Sequence, residues 1–176
     1  MIRKALFITG TVLLLFSPAV GMAQNRPSIF VGGGVTIPVG DYADLAKTGW
    51  MATGGVVIPV GTRGIFIPIE GLYGRNSSEV TGGGHRDLYG GTAGIGYRFG
   101  DQSRVGVYLI GAGGFLVLRT DPGTGTSATE TEFAYFGAGG VDIPVSGRVS
   151  LWIETRYFAR GDVKFVPVFA GISIGL

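Results

Sequence analysis

His85 is the one histidine of the chain, set in Gly82-Gly83-Gly84-His85-Arg86 with Ser77, Ser78 and Asp87 close by in sequence. A serine, a histidine and an acid are the parts of a nucleophilic hydrolase, in which the imidazole takes the hydroxyl proton and the carboxylate orients the ring. That chemistry needs the three groups held within hydrogen-bond reach. A flexible glycine-rich loop does not hold them, so His85 reads as a solvated loop residue. With one histidine and no cysteine, a metal centre lacks ligands. The glycine repeats do not stand between a strand and a helix, so they form no phosphate cradle. The expectation is a protein that is not an enzyme and has no catalytic residue, cofactor or metal.

The remaining candidates are charges embedded in apolar, alternating stretches. Glu70, Glu154 and Arg156 fall near the middle of theirs, while Arg98 and Asp142 fall nearer an end. Each stands on the parity opposite to the Ile, Val and Tyr residues of its own stretch, which would point it into an enclosed interior. Charges there must pair to offset their desolvation. The five residues read as an ion-pair network that closes a lumen. A narrow ion path through the same groups is the alternative, and both need the same residues.

The elements that would position these charges are eight short stretches of period-two alternation: Ser28–Val39, Trp50–Val60, Gly64–Gly74, Asp87–Phe99, Val105–Arg119, Glu132–Val145, Val149–Arg160 and Val163–Leu176. Ile29, Val31, Val35 and Ile37 share one parity of the first, and Leu151, Ile153, Thr155 and Tyr157 share one parity of the seventh. Val105–Arg119 is apolar on both parities, so its facing stays open. Polar loops at Gly40–Gly49, Arg75–Arg86 and Thr120–Thr131 alternate with tight turns at Gly61–Arg63, Gly100–Arg104 and Ser146–Arg148. Strands of about ten residues cross a bilayer at barrel tilt, with long loops outside and short turns inside. The pattern predicts an all-β fold, an eight-stranded antiparallel up-and-down transmembrane β-barrel, with both termini on the periplasmic side.

Ahead of the strands, Arg3 and Lys4 precede an apolar run from Ala5 to Phe16, a breaker at Pro18 and a small-x-small end at Gly21-Met22-Ala23. This is the layout of a secretory signal peptide over residues 1–23, with cleavage after Ala23 and a barrel domain over residues 24–176. The leader carries two of the 14 basic residues and none of the 12 acidic ones, so its removal brings the formal charge from +2 to zero. A nucleic-acid partner is not expected of a neutral chain. Charged residues are only 15% against 45% hydrophobic, with 34 glycines. A soluble surface needs more charge, which counts against a soluble lipocalin-like barrel. Apolar surface without apolar helices fits a closed barrel, in which every backbone group is satisfied internally.

Aromatic placement agrees. Trp50, Tyr73 and Tyr89 fall at the outer ends of their strands on the lipid parity, and Tyr97 and Phe99 at the inner end of theirs, where rings favour the headgroup level. Pro38, Pro59, Pro68, Pro144 and Pro167 take the inward parity, mostly near strand ends. Pro68 reads as the mark of a bulge near the inner rim.

The stretch Gly33-Gly34-Val35-Thr36-Ile37-Pro38-Val39-Gly40-Asp41-Tyr42, then Lys47-Thr48-Gly49-Trp50, and the closing Phe169-Ala170-Gly171-Ile172-Ser173-Ile174-Gly175-Leu176 resemble the outer-membrane protein β-barrel domain family, akin to the OmpA transmembrane domain and OmpX. The resemblance implies a bacterial outer-membrane location and a role in membrane integrity, adhesion or surface interaction. It implies outer-membrane lipid and lipopolysaccharide as surroundings, and an extracellular partner met through the loops. It also implies that barrel-assembly machinery reads the last strand, here through Ile172, Ile174 and Leu176, where the family usually ends in an aromatic. Two other readings are a hydrophobic-ligand barrel and a lipid-modifying enzyme dependent on His85. The latter lacks a His-x-Ser element.

Overall fold

The computed structural model describes residues 26–77, 84–100, 104–123, 126–161 and 163–176. The expected leader and its cleavage after Ala23 lie outside the described residues, as does Ser78. Eight strands follow in chain order: β1 Ser28–Val39, β2 Gly49–Val60, β3 Ile65–Ser77, β4 His85–Phe99, β5 Gly106–Asp121, β6 Ala128–Ser146, β7 Val149–Arg160 and β8 Val163–Gly175. Each pairs antiparallel with the next, and β8 returns to β1 from Ser28 opposite Gly175 to Val39 opposite Lys164. Closure leaves no strand at the edge of the sheet. Among the described residues no helix is long and apolar enough to cross a membrane.

The alternation translates directly into an inside and an outside, because successive side chains of a strand point to opposite faces. Ile29, Val31, Ile69, Ile95 and Ile153 are exposed on the outer wall, whereas Met51, Leu116, Phe158 and Phe169 are buried in the lumen. Register settles the facing of β5. Leu109 lies opposite Tyr97 of β4, and Val107 opposite Phe99, so the odd positions of β5 join the exposed wall. Tyr108, Leu116 and Leu118 therefore point inward and are buried.

Inward glycines make room for large rings on neighbouring strands. A Cβ on Gly171 would stand 2.4 Å from the Trp152 indole and 2.3 Å from the Val31 carbonyl oxygen, and one on Gly96 would meet the Phe66 ring. Trp152 is the cross-strand partner of Gly171, and Phe66 of Gly96, so each ring lies over the glycine opposite it. This is how an eight-stranded barrel accommodates aromatics on its narrow inner face.

Three expectations are corrected. The loops read at Arg75–Arg86 and Thr120–Thr131 are narrowed from both ends by strand, since β3 runs to Ser77, β4 begins at His85, β5 runs to Asp121 and β6 begins at Ala128. Both hairpins project past the apolar band. There polar residues occupy both faces, so hydrophobic alternation vanishes while the ladder continues. His85 is accordingly not a loop residue but the first residue of β4, opposite Ser77. Pro68 marks no bulge: the β3–β4 ladder skips Ile67 and Pro68 and resumes at Ile69 opposite Ala93 in the same register. A proline lacks an N–H, which removes a ladder bond without inserting a residue. The register shift lies instead between Pro144 and Ser146, where β6 meets β7.

Candidate functional site in the barrel lumen

Halfway along the lumen, β3 and β7 set Glu70 and Arg156 facing each other across the barrel. Arg156 donates from Nη1 to Glu70 Oε1 at 2.5 Å and from Nη2 to Glu70 Oε2 at 2.9 Å. Its Nε donates to Glu154, two residues back on the same face of β7. Glu70 also accepts from Thr53 Oγ1 of β2 at 2.8 Å and from Thr92 Oγ1 of β4 at 2.9 Å. The Tyr108 hydroxyl lies beside Glu154. Phe136 and Phe169 hold the Arg156 guanidinium from two sides, each ring centroid 4.7 Å from its central carbon. Every charge has partners, the condition under which a buried ionic group is tolerated.

The lumen differs above and below this layer. Toward the loop rim, apolar side chains fill it: Met51, Leu72, Leu88, Leu116, Phe158 and Phe165 form one packed cluster, with Phe158 and Phe165 stacked at 4.9 Å. A 3-10 turn, Gly40–Asp44, folds over this plug and buries Tyr42. Asn76 ties the segment down by donating to Thr36 Oγ1 and to the Lys47 carbonyl, both at 2.8 Å. Arg86 stands over the Tyr42 ring, its central carbon 5.6 Å from the centroid. Burial pushes the Tyr42 phenol above its ordinary value, with Arg86 pulling the other way.

Toward the rim that carries the tight turns, the lumen opens into a cavity of about 1050 Å3 that reaches from Arg26 and Arg148 at the mouth to Glu70, Glu154 and Arg156 at its floor. Near this mouth Arg98 donates to Asp142 Oδ2 at 3.2 Å and to the Arg104 carbonyl at 2.8 Å. The five charged residues singled out in the sequence thus form two groups rather than one: a triad at mid-lumen and a pair near the turns.

Thr53, Thr92 and Tyr108 were missed. The two threonines stand on the inward parity of their strands, a signal present in the sequence. Tyr108 was hidden by the two-sided apolarity of β5. Arg160, 2% exposed, also points inward, with its nitrogens 3.9 Å from a Glu130 carboxylate oxygen and 3.7 Å from a Glu132 one.

The interface aromatics occupy the outer wall. Trp50 and Tyr73 pair at 5.5 Å toward the loop rim, and Tyr97 and Phe99 at 4.8 Å toward the turn rim, with Tyr89 opposite Tyr73 in the ladder. Ile172, Ile174 and Leu176 lie on the outward parity at the end of the chain.

Ser77, His85 and Asp87 are brought closer than the sequence implied. His85 Nε2 is 3.5 Å from Asp87 Oδ2. Asp87, however, is engaged by Arg75, whose Nε and Nη2 donate to it at 2.6 and 2.9 Å. Among the described residues no side-chain hydrogen bond joins Ser77 to His85, and no group of three His, Cys, Asp or Glu could hold a metal ion.

No protein-family model matches the chain, and no curated protein does. Solved structures do. Neisserial surface protein A is 17% identical, with a TM-score of 0.69 over 85% of this chain and 97% of that one. Ail, the attachment invasion locus protein of Yersinia pestis, in complex with the heparin analogue sucrose octasulfate, is 16% identical, with a TM-score of 0.65 over 87% and 99%. The N-terminal β-barrel domain of Pseudomonas aeruginosa OprF is 7% identical, with a TM-score of 0.53 over 87% and 100%. The chain therefore has the fold of the eight-stranded outer-membrane barrels of the OmpA and OmpX kind.

Proposed function

We propose that this chain is an integral barrel of a bacterial outer membrane with a structural or surface-interaction role, in membrane integrity or adhesion, and without enzymatic activity. The observation that carries the reading is the inversion of its surfaces. Ile, Val, Leu, Phe and Tyr side chains stand exposed on the wall, while Glu70, Glu154, Arg156 and Arg160 are buried within. A lipid bilayer rewards that distribution and water penalises it. In this reading the leader is removed on export, the turn rim faces the periplasm and the loop rim faces outward. Assembly machinery reads Ile172, Ile174 and Leu176 on the last strand, and lipopolysaccharide surrounds the upper wall.

The lumen is closed rather than conducting. The Glu70–Arg156–Glu154 layer and the apolar plug above it support closure, since Leu116 and Phe158 are fully buried in that plug. A surface role then belongs to the projecting β3–β4 and β5–β6 hairpins. Ail, which carries attachment in its name, supports adhesion by analogy of fold only.

Two measurements test this. The protein purified from membranes should migrate faster on a detergent gel before boiling than after, and should add no conductance to a planar bilayer. Discrete conductance steps, altered by Glu154→Gln, would replace the closed lumen with an ion path. Solubility in plain buffer with no mobility shift would overturn membrane insertion.

A further inference from the structure

The cavity below the Glu70–Arg156–Glu154 layer stays open where the half above it is packed. Its volume of about 1050 Å3 is at the upper end of what drug-sized ligands occupy, roughly 300–1,000 Å3. The plug above shows that this sequence fills lumen space with side chains where closure is all that is needed. Below the layer it does the opposite. Serines and prolines, among them Ser28, Ser150, Ser173 and Pro144, take the inward positions nearest the mouth. The large rings lie along the wall over glycines, leaving the axis open.

The walls, floor and mouth differ chemically. Phe30 and Trp152 meet edge to face at 6.0 Å on one side, Phe66 and Tyr108 at 6.2 Å on the other, and Ile110 also lines the cavity. That is an apolar barrel wall. The floor carries two carboxylates against one guanidinium, so it repels an anion. The mouth carries Arg26 and Arg148, exposed and without an acidic partner among the described residues, beside the balanced Arg98–Asp142 pair.

We propose that this cavity binds a single-chain anionic amphiphile of the fatty-acid class, entered from the turn rim. Its alkyl chain lies between the Phe30–Trp152 and Phe66–Tyr108 pairs, short of the negative floor, and its head group stays at the mouth beside Arg26 and Arg148. Charge fixes the orientation: the head meets the cations Arg26 and Arg148, and the floor excludes the reverse pose. The site rests on the inserted barrel proposed above but not on any surface role, and gel mobility separates the two failures.

Trp152 reports on the site directly. The chain contains two tryptophans, so Trp50→Phe leaves Trp152 alone. This variant, purified from membranes and reconstituted into phosphatidylcholine vesicles, is titrated with a bromine-labelled dodecanoic acid, whose bromine quenches indole emission on contact. Saturable quenching is expected, weakened about ten-fold by the methyl ester and by Arg26→Glu with Arg148→Glu, which remove or reverse the charge attraction. Adding Ser150→Phe, or Ser173→Phe in its place, fills the cavity and should abolish saturation while the mobility shift on boiling persists. Quenching that rises without saturating, or that is unchanged in both cavity-filling variants, places the probe in the bilayer and overturns the proposal. Saturable quenching that is indifferent to the ester and to the arginine reversals overturns the anionic head.

Discussion

Arg156 and Glu70 meet across the barrel axis as a bidentate pair, with two guanidinium nitrogens on two carboxylate oxygens at 2.5 and 2.9 Å, although β7 and β3 share no ladder. A contact between strands on opposite walls fixes the barrel's cross-section at that level. It also joins residues 86 positions apart in sequence.

Breaking this pair from one side should cost more than any surface change. Glu70→Ala removes the acceptor of two Arg156 nitrogens and of the Thr92 hydroxyl, leaving Arg156 buried with only Glu154 and Thr53 with only the Gly71 carbonyl. A loss of about 3–5 kcal/mol is expected, read as a lower urea midpoint for the mobility shift in vesicles. Thr53→Val removes one neutral donor to a charged acceptor and should cost about 1.5–3 kcal/mol. Equal midpoints for the two variants would remove the special weight given to the pair.

Glycine tolerance should follow the rings. A Cβ on Gly171 stands 2.3 Å from the Val31 carbonyl and 2.4 Å from the indole of Trp152, whereas one on Gly137 meets nothing within 4 Å. Gly171→Ala should destabilise by about 1–3 kcal/mol through overpacking and shift the Trp152 emission. Gly137→Ala should change stability by less than about 0.5 kcal/mol. An unshifted spectrum in Gly171→Ala would mean that the glycine is not what seats the indole.

The Arg75–Asp87 pair on the outer hairpin is a contrast case, since its arginine side chain is 44% exposed. Solvent and salt screen such a pair. Arg75→Ala should move the urea midpoint far less than Glu70→Ala, and the small shift should vanish at high salt. A large, salt-insensitive shift would show that the hairpin carries stability assigned here to the lumen.

Tyr42 should titrate late. Burial raises its phenol, so the docked turn binds a proton more tightly than the undocked one, and docking loses stability as pH rises through the alkaline range. The chain has seven tyrosines. Subtracting the phenolate absorbance titration of Tyr42→Phe from that of the parent should isolate one phenol ionising above about pH 10, the ordinary value. A difference curve centred at the ordinary value would mean that the turn does not seal the plug.

Strand identity and facing were legible wherever one side of a strand forms the exposed apolar wall and the other the lumen. β1 and β7 follow their alternation end to end, from Ser28 to Val39 and from Val149 to Arg160. β5 was legible as a strand but not in its facing, because Leu116 and Leu118 fill the plug while Val107, Leu109 and Phe115 stand on the wall. Strand ends beyond the apolar band were illegible. At Asn76, Ser77, Arg86 and Asp87 polar residues occupy both faces, so nothing periodic marks the ladder that joins them.

The sequence by itself determined the number of strands, their up-and-down order and which charges point inward, because two-residue periodicity is a local property that an apolar outer wall and a lumen impose on each strand separately. Only the tertiary structure decided which of those charges meet, that Arg156 takes Glu70 while Arg98 takes Asp142, and that one half of the lumen is packed while the other is open. Those outcomes depend on register and barrel closure, which set side chains from distant strands at one height. No spacing along a single strand encodes that.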